Sequence, residues 1–322
     1  MIRSGINVFL DVPVGQIVEV AQQAEQLGFS KCWVYDEGLA TRDPYINLAA
    51  IALQTKNLRL GTGITNPYTR HPAVTAASIA TLHELSGGRA FLGVGPGGAL
   101  TLDPLGIELK KPLTALRELV ETTRGLFNGE AVTYQGQILR LASAKIDYAQ
   151  PGMEIWLAGR GPKILSLGGE MADGVVLDFL YKESIPEWLS YVHAGAALSG
   201  NKPKICYSTV IVTSEKTLEE VRPHMTYRLV NTPPEVKERI GLSEKEADAI
   251  RQAMSLGLEE AGKLVKDEWV RPFAIMGSIE ECAQELKDLM TRYQLDEFLV
   301  PVLNTAEAGR LMDEVSQVLA RT

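Results

Sequence analysis

Cysteine is rare in this sequence, and the three that occur, Cys32, Cys206 and Cys282, are far apart. An odd number of widely spaced cysteines is typical of reduced thiols packed as small apolar side chains, not of a disulfide framework. Apolar runs long enough to cross a bilayer are lacking, and so is a signal-peptide pattern after Met1. We therefore expect a cytoplasmic protein without a membrane partner.

Positive charge is also in deficit, because 32 Lys and Arg residues face 40 Asp and Glu residues, for a net charge of -8. Nucleic acids select basic surfaces, so we expect no nucleic-acid partner. The four histidines, at positions 71, 83, 193 and 224, show no paired spacing of metal ligands, and no metal site is predicted. Neither a P-loop nor a Gly-x-Ser-x-Gly elbow is present.

What the sequence does contain is a regular alternation of short apolar runs and helical patterns. It predicts eight strands, at Gly5–Leu10, Lys31–Asp36, Leu58–Ile64, Ala90–Val94, Glu154–Ala158, Gly174–Leu177, Lys204–Val212 and Glu297–Val302. Such α/β alternation favours parallel pairing, and eight units favour closure into a (β/α)8 TIM barrel spanning residues 1–322 as one domain. The alternative is a doubly wound open sheet with an appended domain.

Two segments depart from a simple repeat. A small hairpin is predicted at Val132–Leu139, before the fifth strand. Residues 215–292, between strands seven and eight, are far longer than one helix requires and include a helical insertion. The insertion is interpreted either as a lid or substrate wall, or as a packing or dimer-contact element. Three Ser/Glu pairs predict capping boxes at helix starts: Ser184/Glu187, Ser243/Glu246 and Ser278/Glu281.

Glycine is concentrated where three predicted strands end, in Gly61-Thr62-Gly63, in Gly93-Val94-Gly95-Pro96-Gly97-Gly98 and in Gly159-Arg160-Gly161-Pro162. Carboxyl ends of parallel strands form the ligand face of such folds, and glycine lets a backbone approach a flat ligand closely. The third segment precedes a helix, whose free N–H groups and dipole favour a phosphate, with Arg160 adding a charge. Ordinary βα turns are the competing explanation for all three segments.

The spacing Gly93-x-Gly95-x-x-Gly98 matches a dinucleotide fingerprint only superficially. A Rossmann site requires it on the first βα turn with a helix starting at once, whereas here it follows strand four and contains Pro96. We interpret it as backbone that lines a cofactor. Asp36 and Glu37, at the end of strand two, are candidates to orient a ring or to transfer protons. Because adjacent residues diverge in a strand, only one of them is expected to point inward.

Several of these segments resemble the luciferase-like flavin or deazaflavin oxidoreductases, in particular the methylenetetrahydromethanopterin reductases that use coenzyme F-420. The resemblance is carried by Gly61-Thr62-Gly63-Ile64-Thr65-Asn66-Pro67, by Gly93-Val94-Gly95-Pro96-Gly97, and by Ala158-Gly159-Arg160-Gly161-Pro162 with Ala172-Asp173-Gly174-Val175. It implies a barrel fold, a homodimer and a non-proline cis peptide between Gly63 and Ile64. The cofactor-binding residues that it implies are Asp36, Gly63, Ile64, Thr65, Gly95, Pro96, Gly97, Ala158, Gly159, Arg160, Gly161, Gly174 and Val175.

Two departures from the resemblance concern protons. Glu37 stands where many F-420 enzymes have histidine, and Gly98 stands where the reductases have an acidic residue. We therefore predict Asp36 and Glu37 as catalytic residues of an oxidoreductase that moves a hydride between F-420 and a small organic substrate. The alternatives are an FMN-dependent luciferase-like monooxygenase, a barrel that binds flavin or F-420 without turnover, and a metal-free isomerase or aldolase.

Overall fold

The structure of the chain, a computed structural model, describes residues 2–322. Its strands are β1 Arg3–Val8, β2 Lys31–Val34, β3 Arg59–Thr62, β4 Ala90–Val94, β5 Val132–Gln135, β6 Arg140–Ala144, β7 Ile155–Ala158, β8 Gly174–Asp178, β9 Lys204–Ser208, β10 Ile211–Val212, β11 Ile275–Met276 and β12 Glu297–Val302. Eight of these strands, all paired in parallel, form a closed barrel in the order β1-β12-β9-β8-β7-β4-β3-β2. The predicted (β/α)8 barrel is confirmed, and the open sheet is excluded because β1 pairs with both β2 and β12.

A helix of ten or more residues follows each barrel strand, as right-handed βαβ connections require. The helices are α1 Val14–Gln26, α2 Pro44–Gln54, α3 Pro72–Leu85, α4 Ala99–Leu102, α5 Pro112–Phe127, α6 Pro162–Met171, α7 Ile185–Ser199, α8 Glu215–Val230, α9 Pro234–Arg239, α10 Glu244–Met254, α11 Leu258–Gly262, α12 Asp267–Val270, α13 Ile279–Arg292 and α14 Ala308–Leu319. Short 3₁₀ turns occupy Gly38–Ala40, Asp103–Leu105, Lys182–Ser184 and Thr305–Glu307. None of the helices in residues 2–322 combines the length and the apolar character that a membrane span requires.

The local sequence explains where these elements start and stop. Asp43 caps α2 by accepting hydrogen bonds from the backbone N–H groups of Tyr45 and Ile46 at 2.9 and 3.0 Å, and Pro44 occupies the first helical position. Gly28, with φ of +87°, ends the turn after α1, where an L side chain would be strained. Backbone geometry and capping therefore agree with the predicted boundaries here.

The predicted seventh strand is wrong in its extent. Only Lys204–Ser208 belongs to the barrel, and β10 pairs instead with β11 in a separate parallel pair outside it. Thr209 is the last residue bonded to the barrel: its backbone N–H donates to the Leu299 carbonyl of β12 at 3.3 Å, whereas its hydroxyl donates to the carbonyl of Phe273, outside the barrel, at 2.6 Å. The sequence shows a single apolar run here because both strands, β9 and β10, are buried.

Two smaller predictions are also corrected. The hairpin is longer than Val132–Leu139, since its second strand extends to Ala144. The Ser184/Glu187 capping box does not form: residues 182–184 take a 3₁₀ turn, and Glu187 accepts a hydrogen bond from the Tyr191 hydroxyl at 2.6 Å. By contrast, Ser243/Glu246 and Ser278/Glu281 form reciprocal boxes as predicted.

The interior of the barrel is layered along its axis. Charged side chains lie at the amino ends of the strands, and Trp33, Phe91 and Trp156 pack edge to face above them. The helices α8–α12 between β9 and β12 carry a second apolar cluster, centred on residues such as Met225, Ile250 and Trp269. A closed, filled lower barrel leaves the carboxyl ends of the strands as the face available to a ligand.

Candidate active site

A cavity of about 460 Å³ opens at the carboxyl ends of the barrel strands, within the range of small-molecule sites, roughly 300–1,000 Å³. Its floor and walls are formed by Asn7, Trp33, Tyr35, Asp36, Glu37, Gly63, Ile64, Thr65, Asn66, Pro96, Gly97, Gly98, Ala99, Leu100, Thr101, Ala158, Gly159, Arg160, Val176, Asp178, Tyr227 and Leu299. Ten residues predicted from the sequence lie together here: Asp36, Glu37, Gly63, Ile64, Thr65, Pro96, Gly97, Ala158, Gly159 and Arg160.

The segment after β3 forms one edge of the floor. The peptide between Gly63 and Ile64 is cis, as the resemblance implies. The Asn7 side-chain amide donates to the Gly63 carbonyl at 2.7 Å, and the Thr65 backbone N–H donates to the Gly93 carbonyl at 3.0 Å. Both bonds hold backbone groups of the segment after β3, so the edge of the cavity here is formed by main chain. A flat ligand could therefore lie close to this backbone.

The two predicted acids line the cavity together, contrary to the expectation that only one points inward. β2 ends at Val34, so Asp36 and Glu37 lie in the following loop, where strand alternation no longer applies. Asp36 accepts a hydrogen bond from the Thr65 hydroxyl at 2.6 Å, and Glu37 accepts one from the Thr101 hydroxyl at 2.5 Å. Each carboxyl therefore has a hydroxyl donor from a different loop.

Burial raises the pKa of both carboxyls. For Asp36 the hydrogen bonds from Thr65 and from the Gly38 backbone oppose that rise without cancelling it. For Glu37 the Thr101 hydrogen bond opposes the rise, while the neighbouring charge of Asp36 adds to it. A carboxyl with a raised pKa retains its proton closer to neutral pH, which suits a group that donates protons.

The opposite side of the cavity is cationic. Arg160, after β7, and Arg228, in α8, approach the same carboxylate oxygen of Asp178 at 3.6 and 3.4 Å, and Ser208 donates to the other oxygen at 2.9 Å. Burial lowers the pKa of Arg228 to about 10, and the nearby charge of Arg160 contributes. Two guanidinium groups against one carboxylate leave a net positive charge.

The start of α6 adds to this cationic side. Gly161 precedes the helix with φ of +97°, Pro162 occupies its first position, and no side chain caps its free N–H groups. An uncapped helix start beside Arg160 is suited to an anionic group. The phosphate site at this segment stays a prediction, to which the uncapped helix start and Arg160 contribute.

Four predicted cofactor contacts do not reach the cavity. Gly95 lies beneath Ile64, because a Cβ on Gly95 would come within 2.1 Å of the Ile64 side chain. Gly161 turns the chain into α6 and is not among the residues that line the cavity. Gly174 begins β8 at the amino end of the barrel and packs on Trp156, and Val175 is buried in the core between barrel and helices. On β8 it is Val176 and Asp178 that face the cavity.

Sequence reasoning missed several lining residues. Asn7 and Asp178 are polar residues that follow apolar ones in the carboxyl halves of their strands, a signal that could have identified them. Tyr227 and the adjacent Arg228 come from the insertion, and nothing in their spacing pointed to the barrel mouth. Within residues 2–322, no group of three or more His, Cys, Asp and Glu residues is placed to hold a metal ion.

Comparison with known proteins places this arrangement in a family. The luciferase-like monooxygenase family matches residues 4–294. The 5,10-methylenetetrahydromethanopterin reductase of Methanolobus tindarius is 34% identical over 295 residues, covering 89% of this chain and 90% of the relative.

Solved structures show the same likeness. The coenzyme F-420-dependent tetrahydromethanopterin reductase of Methanopyrus kandleri superposes with a TM-score of 0.90 at 26% identity, over 98% of this chain and 97% of that one. An F-420-dependent secondary alcohol dehydrogenase shares the fold with a TM-score of 0.78 at 18% identity, over 98% and 99% of the two chains. The barrel, the cavity at its carboxyl face and the extent of these matches show that the chain belongs to the luciferase-like monooxygenase family.

Proposed function

We propose that the protein is an oxidoreductase that transfers a hydride between coenzyme F-420 and a small organic substrate. The observation that carries this proposal is the cavity itself, which has a main-chain edge at Gly63–Thr65 and an anion-binding side at Arg160 and α6. The match to reductases over about nine-tenths of the chain, among them the F-420-dependent enzyme of Methanopyrus kandleri, supports the same reaction class.

The residues present fit this cofactor. The floor is largely apolar, with Ile64, Ala158, Val176 and Leu299 available to contact a tricyclic ring. Arg160 and the uncapped start of α6 would hold the phosphate of the cofactor tail, and the Asp36 carboxylate, held by Thr65, would accept a hydrogen bond from a ring N–H or O–H. When bound, F-420 supplies or accepts the hydride.

Glu37 is the residue assigned to proton transfer. Reduction of a neutral substrate by a hydride also requires a proton if the product is to remain neutral. Glu37 lines the cavity beside Gly98, and its raised pKa favours the protonated form that can donate. A Cβ on Gly98 would have no atom within 4 Å, so the cavity wall at Gly98, which the Glu37 carboxyl also lines, has room for a substrate.

Cofactor identity is tested by titrating the purified protein with F-420 and with FMN separately. We expect binding of F-420 and, with reduced F-420, substrate-dependent recovery of the oxidised cofactor's absorbance. The first substrates are 5,10-methylenetetrahydromethanopterin and simple ketones. Tight FMN binding without F-420 affinity would show an FMN-dependent monooxygenase instead, and F-420 binding without turnover of any acceptor would show a binding protein.

Replacing Glu37 tests the proton-transfer assignment. Glu37→Gln should lower kcat roughly 10²–10⁴-fold, the usual contribution of a positioned acid, while leaving F-420 affinity unchanged. In the wild type, kcat/KM should fall as pH rises through the raised pKa of Glu37, at a pH above the ordinary glutamate value of about 4.3. That pH dependence should be lost in the variant.

Two further variants control this experiment. Asp36→Asn is the matched substitution at the neighbouring acid and should weaken F-420 binding more than it changes the pH profile. Gly98→Asp in the Glu37→Gln background places a new carboxyl in the open space and should restore part of kcat. An unchanged pH profile in Glu37→Gln would remove the residue from the proton-transfer step.

Two further properties stay predictions: the homodimeric state and the cytoplasmic location. The resemblance implies a homodimer, which light scattering of the purified protein tests directly. The three cysteines are free and buried, in keeping with the expected reducing cytoplasmic environment.

A further inference from the structure

Three leucines with exposed side chains lie in the two loops that adjoin the cavity, and one of them, Leu100, lines it. Leu39, in the 3₁₀ turn after Glu37, is 77% exposed, and Leu100, in α4, is 65% exposed. Leu105, in the turn that follows α4, is 37% exposed. We call these three residues the leucine lip. A single exposed leucine is ordinary on a protein surface, but three clustered beside one cavity form an apolar patch that favours contact with an apolar ligand.

The two segments that carry the lip pack against each other. A Cβ placed on Gly38 would lie 3.2 Å from the Thr101 carbonyl oxygen and 3.7 Å from the Leu105 side chain. Thr101 also donates the hydrogen bond to Glu37, and Leu100 itself lines the cavity. The lip is therefore continuous with the wall that presents the Glu37 carboxyl.

The barrel order separates this apolar side from the cationic one. On the cationic side, Arg160 follows β7, Asp178 ends β8 and Arg228 lies in the helix after β9, and these three strands are neighbours in the barrel. Leu39 follows β2, which lies diametrically opposite β8 in the eight-strand ring. Leu100 and Leu105 follow β4, which is next to β7, but their segment packs against the turn that carries Leu39. An anionic cofactor tail on the Arg160 side thus leaves the Leu39 side of the cavity free for a different molecule.

We propose that the leucine lip binds an apolar part, aryl or alkyl, of the substrate, whose reducible end faces Glu37. This inference rests on the proposed hydride transfer and specifies the class of substrate for it. A second copy of the chain is a poorer occupant, because a subunit covering Leu100 would close the cavity that it lines.

The test compares two ligands and three proteins. The ligands are 4-phenyl-2-butanone and 2-butanone, neutral ketones that differ by a phenyl group, titrated by ligand-observed NMR. The proteins are the wild type, Leu39→Ser/Leu100→Ser, and the control Leu198→Ser. Leu198 is 76% exposed in the last turn of α7, at the end of the helix that leads to the amino end of β9. All substituted side chains are exposed, so each variant should fold, which circular dichroism verifies.

We expect the phenyl ketone to bind the wild type and Leu198→Ser at least tenfold more tightly than 2-butanone does. In Leu39→Ser/Leu100→Ser most of that preference should disappear, while F-420 affinity, followed separately by the cofactor's own fluorescence, stays unchanged. An equal preference in the double variant would overturn the proposal. So would a change in molecular mass by light scattering with ligand affinity unaltered, which would make the lip a subunit contact. Absence of F-420 binding with the lip-dependent preference intact would count against the proposed reaction and not against the lip.

Discussion

Asn7 is a buried amide at the edge of the cavity floor whose orientation is fixed by its surroundings. Its Nδ2 donates to the Gly63 carbonyl oxygen at 2.7 Å, an acceptor, so the amide cannot be flipped without losing that bond. Its Oδ1 is buried without a protein partner. The residue therefore ties β1 to the segment after β3 through one donor that no carboxylate could replace.

Substituting Asn7→Asp tests that role, because an ionised carboxylate would face the Gly63 oxygen with a charge and no proton. We expect the free energy of unfolding at pH 7 to fall by about 2 kcal/mol, the cost of a lost buried hydrogen bond. Burial raises the pKa of such a carboxyl in the folded state above its unfolded value of about 3.9. The loss should therefore be smallest at low pH and grow as pH rises through the raised pKa. Urea unfolding at several pH values measures it, and a pH-independent difference from wild type would contradict the explanation.

For single residues, the sequence correctly predicted those parts of the site that lie at the glycine-rich ends of strands. The glycine-rich strand ends, Asp36, Glu37 and Arg160 all came to one cavity because the barrel gathers strand ends. Gly174 and Val175 did not: Gly174 stands at the amino end of β8, two residues before Val176 on the ligand side, and Val175 is buried in the core between barrel and helices. Tyr227 was unpredictable since its position depends on how the insertion folds back over the barrel.

At the scale of elements, identical sequence signals had different outcomes. Ser278/Glu281 and Ser184/Glu187 both fit the capping pattern, but only the first forms reciprocal bonds. The second is displaced because the chain enters α7 through a 3₁₀ turn that places Ser184 in helical backbone geometry. Likewise the apolar run at Lys204–Val212 is split between the barrel and the β10–β11 pair, a change in pairing partner that hydrophobicity alone does not reveal.

The two serines form a matched pair for measuring a cap. Ser278→Ala should lower the free energy of unfolding by about 1 kcal/mol, since its hydroxyl satisfies the Glu281 backbone N–H at 3.2 Å. Ser184→Ala should change it by less than about 0.5 kcal/mol, as its hydroxyl caps nothing. Thermal or urea unfolding of both variants against wild type provides the comparison. Equal losses in the two variants would show that the capping bond is not the source of the effect.

At the scale of the whole molecule, the two ends of the barrel interior differ in structure. The carboxyl end is open and holds the cavity, whereas the amino end is closed by a network of charges. Lys31 is buried there, donating to both oxygens of Glu297 at 2.9 and 2.7 Å, with its ammonium 3.9 Å from the Trp156 ring centroid. Burial lowers the pKa of Lys31, although the charges of Glu297 and Glu154 oppose that change.

Glu154 completes the network. Burial alone would raise the pKa of Glu154, but hydrogen bonds from Lys204 and Trp156, with the charges of Arg59 and Lys31, lower it to about 2. A carboxyl with a depressed pKa stabilises the folded state above its unfolded pKa of about 4.3 and loses that contribution as pH falls towards 2. The pH at which this barrel unfolds in acid should therefore depend on the buried charges at its amino end as well as on the surface charges.

The strongest test of this charge network is to remove the charge of Glu297 alone, and then the charges of both Glu297 and Lys31. Glu297→Gln leaves the buried Lys31 ammonium facing a neutral amide, with the Glu154 carboxylate 3.8 Å away as its remaining partner, so we expect a loss of about 3 kcal/mol in the free energy of unfolding. The double substitution Lys31→Met/Glu297→Leu removes the pair altogether. Glu154 keeps Arg59 and Lys204, at 2.8 and 2.7 Å, so most of the lost stability should return. Urea unfolding followed by tryptophan fluorescence distinguishes the two. If the double variant is as unstable as Glu297→Gln, the cost lies in packing beneath Trp156 and not in the unpaired charge.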